Sequence, residues 1–150
     1  MDDFARELPR CRWFTRGWTL QELIVPKEVI FFDKAWNYRG AKRELASLIG
    51  RITKIPESDL RHEEPLSAFS VAKRMSWAAQ RMITLPKDMA YCLLGIFDAN
   101  MPLMNGEGPR AFERLQLDIM TRILDLSILA WVDDRKPCPE YSGVLAESPK

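Results

Sequence analysis

Only two runs in this chain read as strands, and nearly every other patterned stretch reads as helix. The first run is EVIFF, residues 28–32, short, β-branched and aromatic, bounded by polar residues as a buried strand is. The second is LSILAWV, residues 126–132. A helical stretch, 16–24, leads directly into the first run, and helix followed by buried strand is half of a βαβ repeat. A parallel sheet of two strands would leave both edges open and one face weakly covered. The pattern therefore points to a helix-rich α/β architecture of which this chain looks like only a part.

The length does not explain the shortage, because 150 residues suffice for one domain with its own core. At 47% apolar and 29% charged, the composition is globular. A formal charge of +1 supplies no field for nucleic acid or an anionic membrane. No apolar run approaches the roughly 20 residues of a membrane span, and MDDFARELPR has no apolar core of a secretory signal. Cys11, Cys92 and Cys138 are odd in number, scattered and outside any CxxC pair, and His62 stands alone. That spacing argues against zinc and for a reduced, cytoplasmic setting.

Helical spacing places the apolar side chains. In 16–24 (RGWTLQELI), Leu20, Leu23 and Ile24 share a side, and Pro26 ends the helix because it lacks a backbone N–H. After a loop, DKAWNYRG, residues 41–53 carry Leu45, Leu48, Ile49 and Ile52 on an amphipathic face. KIPESDLRHEEP reads as a charged loop whose second half holds at most a helical turn. Ser67 is expected to cap a helix over 68–80 containing Phe69, Ala72, Met75 and Ala79. Pro86 and Asp88 open another, presenting Met89, Leu93, Ile96 and Phe97. NGEGP turns the chain, and Pro109 starts a last helix with Phe112, Leu115, Ile119 and Ile123 inward.

Few residues stand out chemically. Trp18 precedes Glu22 by one helical turn, so the two share a face. On the residues alone, Glu22 solvates a short helix, while Trp13, Phe14 and Trp18 are core. Arg16, Arg74 and Arg81 suit a pyrophosphate, but arginines at helical spacing more often form surface ion pairs. GEGPRAF, 106–112, has the outline of a phosphate-binding helix start without the spacing of a dinucleotide or Walker loop, so a structural turn is favoured. Cys92 should behave as a small hydrophobe within MAYCLLGIFD, and His62 as a solvated loop residue.

Four ordered segments, RWFTRGWTLQELIVPKEVIFFDKAWNYRG (12–40), RMSWAAQR (74–81), DMAYCLLGIFDANMPLMNGEG (88–108) and AFERLQLDIM (111–120), closed by DLSILAW (125–131), resemble the C-terminal half of the fungal heterokaryon incompatibility (HET) domain. The resemblance runs from about residue 12 to 146. It divides the chain into a lead-in (1–11), the C-terminal part of the domain (12–132) and a following segment (133–150). It implies a TIR-like, flavodoxin-like parallel sheet whose first strands lie in an N-terminal half, and a role in programmed cell death after fusion of unlike fungal cells. Enzymatic TIR domains cleave the nicotinamide–ribose bond of NAD with a glutamate in a W-x-x-x-E-L pattern, which WTLQEL matches. By that position, the resemblance implies Glu22 as the catalytic residue; Trp18, one turn before it, and Arg16 are the substrate-binding candidates beside it. No metal or cofactor is implied, and NAD enters as substrate. A carboxylate there stabilises an oxocarbenium-like state by charge or through the ribose hydroxyls, and the indole is placed to stack on a base. Three positions depart from the family: Leu85 and Lys87 stand where it tends to carry an arginine and an acid, and Asn105 where it favours tyrosine. The partners implied are a second copy or domains of NOD-like receptor type. The alternative from another class is a non-enzymatic, self-associating signalling module, or an inert truncated piece.

Overall fold

Prolines and borrowed side-chain caps, more than hydrophobic period, set where the elements of this chain stop. The computed structural model describes residues 3–131 and 145–149. A short helix α1 (Asp3–Glu7) runs into two 3-10 turns, Leu8–Arg10 and Arg12–Thr15, and then into α2 (Thr19–Ile24). Pro26 follows α2 as expected. The chain next forms a hairpin of β1 (Ile30–Phe32) and β2 (Tyr38–Ala41), then α3 (Ala46–Thr53), α4 (Glu57–Leu60), α5 (Val71–Ser76), α6 (Asp88–Tyr91) and α7 (Arg110–Arg122).

The hairpin differs from expectation in two ways. EVIFF is a strand, but Ile30 and Phe32 are exposed and only Phe31 turns partly inward, so it is not a buried strand. Its partner is the tail of the expected loop 33–40, and the pairing is antiparallel, with Ile30 opposite Ala41 and Phe31 opposite Gly40. The register slips so that Phe32 meets Tyr38, leaving Arg39 as an extra residue. Asp33 explains the tight return. Its carboxylate accepts from the backbone N–H groups of Ala35 and Asn37 (2.8 and 2.9 Å), the Asn37 amide and Arg39. Those bonds, the Asn37 side chain foremost, hold it well below the usual carboxylate range.

The second expected strand is not one either. Leu126–Leu129 is a 3-10 turn, and Val132 lies outside the described residues. The reason is local: Asp125 and Ser127 spend their side chains as caps. Asp125 accepts from Val71 N (2.7 Å) and Ser127 N (2.9 Å), and Ser127 Oγ accepts from Ala72 N (3.0 Å). The start of α5 is thereby satisfied from outside, with its own Ser70 accepting from Lys73 N. Ser70 is the cap, not Ser67, which sits in the 3-10 turn Leu66–Ala68, and the helix stops at Ser76. The helical turn in the 54–65 loop falls at Glu57–Leu60, in its first half.

The core gathers where the periodic helices meet. Ala111, Phe112, Leu115 and Ile119 of α7 join Ala90, Tyr91, Leu93, Ile96 and Phe97, with Leu20, Leu23 and Ile24 of α2 and Ile49 of α3. Each buried Leu, Ile or Phe contributes about 1.5–3 kcal/mol against exposure. Gln116, buried on α7, exchanges two hydrogen bonds with the Ala146 backbone (2.8 and 2.9 Å), as a second peptide group would. Among the described residues, the hairpin is the sole sheet, and one isolated parallel bridge joins Arg16 to Met82.

Candidate functional site

The segment carrying Glu22 is built from the turn before it. Gly17 N donates to Met82 O (2.9 Å) and Met82 N to Thr15 O (2.6 Å), which zips 15–17 onto 82. That approach requires glycine, since a Cβ at position 17 would lie 2.6 Å from the Ile83 Cγ2 methyl. Thr19 Oγ1 then donates back to the carbonyls of Arg16 (2.9 Å) and Trp13. Beneath the turn lies Arg81, only 8% exposed, whose Nη1 donates to Arg16 O (3.0 Å) and Thr19 Oγ1 (3.1 Å). Burial lowers its pKa to about 10, and it remains charged at neutral pH.

The far end of α2 is held by another buried cation. Lys42, 1% exposed, donates from Nζ to Leu23 O (3.0 Å) and to Pro26 O, the carbonyls a helix end leaves open. His62, exposed and at a left-handed φ of 53°, brings Nε2 within 3.0 Å of both Lys42 Nζ and Pro26 O. The solvated loop residue expected at 62 is instead part of this cluster. Asp59 completes it: burial raises its pKa to about 6, with Lys42 pulling the other way, and its Oδ2 has no partner.

The three residues singled out around this helix are surface groups. Trp18 is 38% exposed, so it is not core, whereas Phe14 is buried and Trp13 half-buried. Glu22 is exposed one turn later, without a hydrogen bond or ion pair among the described residues. Helical spacing puts Trp18 and Glu22 on one face. The Arg16 guanidinium is also exposed, and only its carbonyl is held. Neither of two clefts described in the chain is lined by any of the three.

Arg74 and Arg81 are not surface ion pairs but the most buried arginines described, at 5% and 8% exposure. For Arg74 the signal was present, since 71, 74 and 75 fall at one helical spacing and put it on the buried side of α5; Arg81 lies beyond the helix end at Ser76 and carries no such signal. The GEG turn is indeed structural. Gly106 and Gly108 have φ of 76° and 57°, and Glu107 accepts from Tyr91 OH (2.8 Å) and pairs with Arg114 (2.7 Å). Cys92 is fully buried, and its thiol pKa is pushed up to about 12 by burial. Cys11 is exposed, and Cys138 lies outside the described residues. Among the described residues no group of three or more His, Cys, Asp or Glu is placed to hold a metal, and no helix is long and apolar enough to cross a membrane.

Comparison with known proteins adds the decisive relationship. Over 108 residues the chain is 51% identical to the vegetative incompatibility protein HET-E-1 of Podospora anserina. The chain is thus related in sequence to a heterokaryon incompatibility protein. The alignment takes in 71% of the chain but 8% of that relative, so the chain spans a small part of the protein it matches. A family described as a domain of unknown function, DUF8212, matches residues 110–148, which include α7 and its Ala146 partner. No solved structure matches the chain.

Proposed function

We propose that this chain is part of a fungal heterokaryon incompatibility effector, acting in non-self recognition and programmed cell death. The observation that carries the reading is the 51% identity over 108 residues to a vegetative incompatibility protein. In the complete domain, completed by a TIR-like parallel sheet, the proposed chemistry is cleavage of the nicotinamide–ribose bond of NAD. Glu22 stabilises the oxocarbenium-like state, Trp18 stacks on a base, and Arg16 meets the pyrophosphate. The exposure of all three, with Glu22 on a helix gripped at both ends by Arg81 and Lys42 and Arg16 and Trp18 just before it, supports this division of labour. The test is NAD consumption, with release of nicotinamide and ADP-ribose, by the complete domain and its Glu22→Gln variant. Loss of at least a hundredfold in rate is expected. Equal consumption by wild type and variant would remove Glu22 from the chemistry.

A second reading, a non-enzymatic module acting by self-association, is favoured by one feature. The hairpin exposes Phe32, Trp36 and Tyr38 as a contiguous aromatic cluster, with ring centroids 5.8 and 6.3 Å apart around Phe32. Cell killing by a complete domain that spares NAD would select it.

A further inference from the structure

The motif RMSWAAQR buries two arginines, and only Arg81 is explained by the turn it holds. Arg74 is 95% buried by its 5% exposure, yet its guanidinium makes one hydrogen bond to the chain, Nη1 to Ile96 O at a long 3.3 Å. Its Nε is buried without any partner, and no ion pair is formed with it among the described residues. Buried polar groups in native proteins are nearly always paired, and a buried cation so poorly served implies an acceptor supplied from elsewhere. The Phe97 ring, 4.6 Å from Arg74 Cζ, holds the guanidinium plane without meeting its N–H groups.

Arg74 opens onto a cleft of about 670 Å3 between the Leu66–Ala68 turn, the 95–98 segment and residues 122–125. That volume lies in the range of small-molecule sites. Phe69 and Ile123 line it with half-buried apolar surface, Ile96 and Phe97 lie buried behind them, and Ser70 adds a hydroxyl. Its charges balance, with Arg74 and Arg122 against Asp98 and Asp125. Arg122 is already paired with Asp118 at 2.6 Å, and Asp125 is occupied by the N–H groups of Val71 and Ser127. Arg74 is the underserved cation, and its Nη2 is neither bonded within the described chain nor sealed from the cleft. A dianion would meet the field of two aspartates with no surplus positive charge to offset it. A single planar carboxylate matches a guanidinium edge and brings one negative charge where a dianion brings two.

We infer that this cleft is a binding site for a small monocarboxylate with an apolar body, its carboxylate on Arg74 and its body against Phe69 and Ile123. The inference is independent of NAD chemistry at Glu22, since no residue is shared. The probe is benzoate, titrated into the 150-residue chain while the Arg74 Nε–Hε signal is followed by NMR, with benzamide and inorganic phosphate as comparisons. Saturable movement of that signal with benzoate is expected, with binding at least tenfold weaker for benzamide and for phosphate. Arg74→Gln, followed through the backbone amide signals of Ile96 and Phe97, should weaken benzoate at least tenfold while leaving the near-ultraviolet dichroism of the fold. Absence of saturable movement overturns the site, and so does benzamide binding as tightly as benzoate. Phosphate binding more tightly overturns the carboxylate assignment. If Arg74→Gln does not fold, the wild-type comparison of benzoate with benzamide still decides.

Discussion

Asp59 couples this fold to pH in the direction opposite to most carboxylates. In the unfolded chain its carboxyl has the ordinary value of 3.8, and in the fold burial raises it to about 6. The folded state therefore holds the proton more tightly. Stability from this group is fully present below about pH 4 and is lost as pH rises through about 6. The whole effect is at most about 3 kcal/mol, since each unit is about 1.4 kcal/mol. Lys42 and His62 face the same carboxylate neighbourhood, so wild type alone does not isolate the term. The difference between wild type and Asp59→Asn does. The variant should match wild type near pH 4 and be more stable near pH 7, read as chemical-denaturation midpoints at the two pH values. Parallel curves for the two proteins would mean that Asp59 carries no such burden.

At the scale of elements, α2 is a six-residue helix that does not stand on its own propensity. Its register depends on Arg81 at one end and Lys42 at the other, both drawn from distant parts of the chain. Arg81→Met keeps an unbranched apolar stem and removes the donors, leaving Arg16 O without one of its two partners. Hydrogen bonds to a charged group contribute about 1.5–3 kcal/mol. The expected result is faster hydrogen exchange at the amides of Leu20 through Val25, with the amides of α7 losing less protection. Uniform loss across α2 and α7 would make Arg81 a general core residue and not a clamp. Much of this element was legible in sequence: RGWTLQELI followed by Pro26 gave the helix, its apolar side and its end. The clamps were not, because a lysine 19 residues beyond Leu23 and an arginine 65 beyond Arg16 have no local pattern. LSILAWV misled for a related reason. Its composition suits a strand, but the Asp125 and Ser127 caps for α5 set its backbone, and a cap given to a distant helix is invisible to periodicity. The last helix, with Pro109 before it and Phe112, Leu115 and Ile119 buried, was read correctly except at its end, where Ile123 falls just past the helix, extended and half-buried.

For the whole molecule, the hairpin is where packing is least complete. Trp36 is 81% exposed at a left-handed φ of 62°, and Phe32 and Tyr38 stand exposed beside it. Two strands alone bury little, and both outer edges of this pair lack a strand partner among the described residues. The polar half of the hairpin is secure, through Asp33 on one end and the Glu44 contact with Tyr38 OH (2.6 Å) and Ala41 N (2.8 Å) on the other. A stable turn thus presents an aromatic face to solvent, a combination that favours association over local collapse. The 150-residue chain is expected to self-associate with rising concentration in sedimentation velocity. Trp36→Ser together with Phe32→Thr should shift that association to at least tenfold higher concentration. Because neither residue caps the turn or enters the core, far-ultraviolet dichroism should stay the same. Association unchanged in the double variant would move the interface away from the hairpin and withdraw the one structural feature that favours the self-associating reading.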